Sequence, residues 1–120
     1  DITRTVSEFV ASAQFAAQAG FDGIELHAAN GYLIEQFLNA NVNRRDDAYG
    51  AGIEGRNRFA LDIARATAAA IGAHRVGIRL SPYGVFNSTG AFPEVDAQYL
   101  ALTEQLSQIG LQSSTLMPER

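Results

Sequence analysis

Cysteine and lysine are both absent from the 120-residue chain, and each absence excludes a kind of chemistry. Without cysteine, the chain can form no disulfide, no thiolate metal site and no thiol nucleophile. All nine basic residues are arginine, so the chain offers no lysine for a Schiff base or a phosphate-binding loop. Any reaction in this chain must therefore use histidine, arginine, carboxylate, amide or hydroxyl groups.

Clustered charge and long apolar runs are also missing. The net charge is −4 and the basic residues are scattered, so no basic patch predicts binding to nucleic acid or to a membrane surface. No apolar run is long enough to span a bilayer. The residues are 47% hydrophobic, which is sufficient for a globular core. We expect a soluble cytoplasmic protein with no nucleic-acid or membrane partner.

In two stretches, residues 22–27 and 75–80, apolar side chains alternate with polar or small ones. This pattern is typical of a strand with one buried face. Each is followed by turn residues and then by a helical pattern, an order that predicts parallel βα units in an α/β fold. Such folds place their chemistry at the carboxyl ends of the strands, where His27 and Arg79 lie. His27 and Arg79 are therefore the first candidate site residues.

The helical and irregular segments follow from periodicity and from turn residues. Thr5 and Glu8 have the spacing of a capping box, which predicts a helix that begins just after Thr5. Pro93 is a favoured first residue for the last helix. The polar residues 39–56 predict a long loop, and residues 111–117 give a weak signal for a third strand. The predicted helices cover about residues 6–19, 33–38, 59–70 and 93–109.

Three polar side chains follow the first predicted strand within one short turn. His27, Asn30 and Tyr32 offer an imidazole, a carboxamide and a phenol, a set that can hydrogen-bond a developing oxyanion and deliver a proton. The alternative for His27 is a structural histidine that is satisfied in the core. Arg79 is either an ion-pair partner of an inward carboxylate such as Glu25, or a fixed positive charge beside an anionic ligand. The residues alone leave both alternatives open.

Two further motifs are weak. The segment Gly50–Gly55 matches the dinucleotide-binding fingerprint, but no strand precedes it and no acidic residue follows at the required distance. We interpret it as a turn that opens the next helix. Glu25 and His27 could be two metal ligands, but no third ligand accompanies them, and we predict no metal site.

The densest series of motifs extends from Gly20 to Pro82. It resembles the old yellow enzyme family of flavin-dependent ene-reductases. The matching segments are Gly-Phe-Asp-Gly-Ile-Glu-Leu-His, His-Ala-Ala-Asn-Gly-Tyr-Leu-Ile-Glu-Gln-Phe-Leu, Asn43-Arg-x-Asp-x-x-Tyr-Gly50, Arg56 and Arg75-Val-Gly-Ile-Arg-Leu-Ser-Pro82.

The resemblance implies a (β/α)8 barrel that carries FMN, accepts electrons from NADH or NADPH and passes hydride to an activated alkene such as an enone or a nitroalkene. It implies that His27 and Asn30 bind the carbonyl or nitro oxygen of the substrate. Tyr32 would donate a proton to the α-carbon. Arg79 would lie near the pyrimidine end of the flavin ring, where its charge would stabilise the reduced flavin.

Such a barrel usually needs about 250 residues. We therefore expect residues 1–120 to be a single fragment of an FMN-binding TIM barrel, with strands four and five and a weaker strand six. The parent would be an enzyme, and the fragment alone would be inactive. One alternative is a non-catalytic half-barrel that associates with itself through its open edges. Another is a barrel enzyme that acts on carbonyl substrates without flavin.

Overall fold

The computed structural model of the chain describes residues 1–85 and 89–111 and the backbone of 113–116. Helices and strands alternate along the chain, as the sequence predicts. The elements are α1 (Ile2–Gln18), β1 (Ile24–Ala28), α2 (Leu33–Leu38), α3 (Ile53–Ile71), a 3₁₀ helix (Ala73–Arg75), β2 (Val76–Leu80), α4 (Val95–Ile109) and β3 (Ser113–Leu116).

The three strands form one parallel sheet in the order β1-β2-β3. In the register between β1 and β2, Leu26 is opposite Ile78 and His27 is opposite Arg79. The weak strand signal at 111–117 is confirmed, since β3 pairs with β2 in parallel. Parallel pairing requires crossover connections, and helices α2 and α3 provide the first of them while α4 provides the second.

One face of the sheet is buried against the helices. The apolar residues of β1 and β2 that alternate with the polar ones pack in the core with side chains of α3 and α4. Burial of each large aliphatic side chain stabilises the fold by about 1.5–3 kcal/mol. The core residues with no exposed surface include Ala28, Ile63, Val76, Ile78, Leu80 and Leu102.

The predicted starts of three helices were wrong. Helix α3 begins at Ile53 and not at residue 59, so residues 53–56 of the predicted loop form its first turn. Helix α1 begins at Ile2 because the Asp1 carboxylate caps it by accepting the Arg4 N–H at 3.3 Å. Helix α4 begins at Val95, two residues after Pro93. The Val95 N–H donates to the Phe92 carbonyl at 3.0 Å and closes a four-residue turn, in which Pro93 takes the second position that favours proline.

Gly50–Gly52 form the turn that opens α3, as interpreted from the sequence, and Ile53–Gly55 are already the first residues of the helix. The turn follows an irregular loop, and Gly52 directly precedes the helix. The loop before it is held by Asn43, whose side-chain amide donates to the carbonyls of Phe37 at 2.7 Å and Tyr49 at 2.8 Å. Within the described ranges, no helix is long and apolar enough to cross a membrane.

Candidate active site

The face of the sheet opposite the core carries polar side chains at its carboxyl end. Glu25 and His27 of β1 are exposed, while their neighbour Leu26 is buried. On β2, Gly77 lies beside Glu25 and Arg79 lies beside His27. The parallel register therefore places His27 and Arg79 side by side.

Arg79 forms the ion pair with Glu25 that the sequence left as one of two alternatives. Its Nε lies 3.1 Å from Glu25 Oε1, and the two side chains are 37% and 43% exposed. An ion pair this accessible to water contributes about 0–1 kcal/mol to stability. The pair has no net charge, and it holds the Arg79 guanidinium at the carboxyl end of the sheet, on the same face as His27.

His27 and Tyr32 are in contact across the turn after β1. Their ring centroids are 5.3 Å apart and their planes are tilted by 41°. This separation is typical of interacting aromatic rings. Tyr32 is 57% exposed although it directly precedes α2. The imidazole and the phenol therefore meet at an accessible surface, and His27 is not a buried structural histidine.

The turn between them has two consecutive residues in the left-handed region. Asn30 has φ of 59° and Gly31 has φ of 77°. Glycine adopts this conformation without a steric penalty, and asparagine does so more readily than most residues. The two residues turn the chain from β1 into α2, so that Asn30, which is half-buried, lies in the same turn as His27 and Tyr32.

Hydrogen bonds from two other elements hold this turn. The Asn30 N–H donates to Ser81 Oγ at 2.9 Å, and the Gly31 N–H donates to Glu35 Oε1 at 2.8 Å. The Ser81 hydroxyl donates to the same Glu35 oxygen at 2.8 Å. The Gly31 carbonyl accepts the side-chain N–H of Gln36 at 2.9 Å. The peptides on both sides of Gly31 are thus held by side chains.

Glu35 and Ser81 were missed by the sequence reasoning. Glu35 is 1% exposed, and burial raises the pKa of its carboxyl, while the hydrogen bonds from Gly31 and Ser81 and the nearby His27 oppose that rise. A signal was available, since an acidic residue in the mostly apolar segment Leu33–Leu38 needs a partner if it is buried. Among the described residues, no three histidine, aspartate or glutamate side chains cluster as metal ligands.

The chain matches known proteins along most of its length. The family model described as NADH:flavin oxidoreductase / NADH oxidase matches residues 1–117. The aldehyde reductase FrzD of a Cladobotryum species is 46% identical over 111 residues, which cover 92% of this chain and 30% of that protein.

Two solved structures superpose with a TM-score of 0.92 over 96% of this chain. The old yellow enzyme homologue from Zymomonas mobilis is 34% identical, and this chain covers 32% of its length. Morphinone reductase is 40% identical, and this chain covers 30% of its length. The chain thus spans about a third of the length of these relatives, and its predicted fold class, part of a (β/α)8 barrel, is confirmed. The chain belongs to the NADH:flavin oxidoreductase / NADH oxidase family, within the old yellow enzyme group.

Proposed function

We propose that this chain is part of an FMN-dependent enzyme that uses NADH or NADPH to reduce activated alkenes, such as enones or nitroalkenes. The observation that carries the proposal is the accessible His27–Tyr32 pair beside Arg79, at the carboxyl end of adjacent parallel strands. Family membership and relatives named aldehyde reductase and morphinone reductase support it. The activity is proposed for the full-length protein, since the chain spans about a third of its relatives.

The residues at this end of the sheet fit the ring of FMN. Gly77 places no side chain on the polar face, which leaves room beside Glu25. Arg79 supplies a positive charge that cannot be removed by deprotonation at ordinary pH, and its planar guanidinium suits a planar anionic partner. Arg79 would therefore lie at the pyrimidine end of the ring, and His27 and Tyr32 would line the substrate side.

The chain's own residues bind the substrate and move a proton. When bound, FMN supplies the hydride that is added to the β-carbon of the alkene. His27 and Asn30 donate hydrogen bonds to the carbonyl or nitro oxygen, where negative charge develops as the hydride arrives. Tyr32 donates its phenolic proton to the α-carbon, and one hydride and one proton together saturate the double bond.

A titration of phenol into the FMN-loaded full-length protein tests the proposal. A phenol that binds over the flavin through His27 and Asn30 should produce a long-wavelength charge-transfer band. We expect His27→Ala and Asn30→Ala each to raise the Kd for phenol at least about tenfold, equivalent to about 1.4 kcal/mol for one lost hydrogen bond to a charged group. Arg58→Leu, on the exposed side of α3, is a control that should leave the Kd unchanged.

The result of this titration also separates the alternatives. A full-length protein that binds no flavin but reduces carbonyl compounds would favour a flavin-free barrel enzyme. A band that persists in both variants would show that the phenol binds elsewhere and would refute the assigned roles of His27 and Asn30.

One observation favours the second candidate, self-association of the segment itself. Within the described sheet, β1 pairs with β2 on one side and has no partner strand on the other. Such an edge presents backbone groups that another chain can pair with. Sedimentation of residues 1–120 over a range of concentrations tests this role. A concentration-dependent, flavin-free oligomer would support it, and a monomer at all concentrations would refute it.

A further inference from the structure

We propose that Glu35 is a positioning residue that holds the substrate-binding turn between β1 and α2. The inference rests on the proposed function of that turn. Glu35 lies on α2, three residues after Tyr32, and one of its carboxylate oxygens receives both the Gly31 N–H and the Ser81 hydroxyl. The Ser81 hydroxyl oxygen also accepts the Asn30 N–H. Glu35 Oε1 therefore supports the N–H groups of two consecutive residues, Gly31 directly and Asn30 through Ser81.

The turn requires such support because of its backbone conformation. Asn30 is in the left-handed region, which costs most residues other than glycine about 1–2 kcal/mol and costs asparagine less. Hydrogen bonds to the N–H groups of Asn30 and Gly31 offset this strain and select one orientation of each peptide. The side chains on either side of Gly31 belong to Asn30 and Tyr32, so the same bonds determine where the proposed amide donor and phenol lie.

Glu35 is itself rigidly attached. Its neighbour Ile34 and the helix end Leu38 are buried in the core, and Glu35 is 1% exposed. Ser81 is also 1% exposed and directly follows β2, one residue after Leu80 of the core. The two partners thus connect the turn to a core helix and a core strand. Any movement of the turn would therefore require α2 or β2 to move as well.

The charge of the carboxylate is also placed close to the site. Glu35 is near enough to His27 and to the Tyr99 hydroxyl of α4 to interact electrostatically with both. Glu35 Oε2 and the Tyr99 hydroxyl are buried without a hydrogen-bond partner among the described residues. The stabilising contacts of this carboxyl are therefore concentrated on Oε1, which faces the turn.

Three substitutions in the FMN-loaded full-length protein separate positioning from general stability. Glu35→Leu removes the acceptor at similar size, Glu35→Gln keeps an acceptor oxygen, and Ser81→Ala removes only the bridge to Asn30. The matched control is Thr67→Ala, since Thr67 is fully buried and its hydroxyl donates only within α3, to the carbonyls of Ile63 and Ala64. The measured quantities are flavin content and the Kd for phenol.

We expect Glu35→Leu to raise the Kd for phenol at least about tenfold with flavin retained, and Glu35→Gln to restore it to within about threefold of the wild type. Ser81→Ala should weaken binding by an intermediate factor, and Thr67→Ala should leave the Kd unchanged. If Glu35→Leu fails to fold, Ser81→Ala decides, because unchanged binding in that variant would refute the proposal.

Two other results would overturn the inference. The first is wild-type phenol binding in a flavin-loaded Glu35→Leu variant, and the second is an equal loss in Thr67→Ala. Either result would leave the proposed function intact, since the wild-type protein still binds phenol. A wild-type protein that shows no phenol band would instead overturn the proposed function, and the inference with it.

Discussion

Arg56 joins the start of α3 to the start of α4, and replacing it with leucine tests how much this contact stabilises the fold. Its side chain is 8% exposed and is paired with Glu94, while its Nε donates to Gln98 Oε1 at 2.7 Å. The guanidinium also lies over the ring of Phe92, 5.5 Å from the centroid. Gln98 is fully buried and donates to the Leu38 carbonyl, which extends the contact to α2.

The expected loss of stability follows from the interactions that each partner loses when the guanidinium is removed. Gln98 Oε1 would be buried without a donor, at a cost of about 1–3 kcal/mol. Loss of the cation–π contact with Phe92 adds about 0.5–2 kcal/mol. Glu94 is 52% exposed, so water can solvate its carboxylate, and the ion pair adds only about 0–1 kcal/mol. Together these contributions predict that Arg56→Leu lowers the free energy of unfolding by about 1.5–6 kcal/mol.

Urea unfolding of the full-length protein measures this loss. Arg58→Leu is the matched control on the same helix, since Arg58 is 40% exposed and its contacts with the Glu54 carboxylate at 4.0 Å and the Ala48 carbonyl at 2.8 Å are accessible to water. It should cost about 0.5 kcal/mol or less. Glu94→Gln should cost about 1 kcal/mol or less. Equal stability of Arg56→Leu and Arg58→Leu would refute the stabilising role of the Arg56 contacts. A loss in Glu94→Gln as large as that in Arg56→Leu would refute the small contribution assigned to the ion pair.

Two further predictions concern the site. Tyr32→Phe should lower the rate of alkene reduction by about 10²–10⁴-fold, because it removes the proposed proton donor, and should leave phenol binding intact because the exposed ring remains. An unchanged rate in stopped-flow measurements would refute the role. Burial raises the pKa of Glu35 above its usual value of 4.5, so its protonated form is favoured on folding. This contribution to stability is present at low pH and is lost as the pH rises through the raised pKa. Urea unfolding of wild type and Glu35→Gln should therefore show wild type losing stability relative to the variant as the pH rises above about 4.5, and a constant difference would contradict this expectation.

Most of the fold was predictable from local patterns. Alternation of side chains located β1 and β2, and helical spacing located α2 and much of α1, α3 and α4, because both periods are properties of the backbone itself. The helix ends were less predictable. The cap by Asp1 and the turn at Pro93 depend on single hydrogen bonds, which periodicity does not reveal.

The residue types of the candidate site and the family were determined by the sequence alone, because short motifs of ordered spacing carry them. The tertiary structure decided which residues support the site. Asn30 and Ser81 are 51 residues apart in the chain, Ser81 and Glu35 are 46 apart, and Arg79 and Glu25 are 54 apart. Contacts over such distances follow from parallel strand register and helix packing, which no local pattern of side chains specifies.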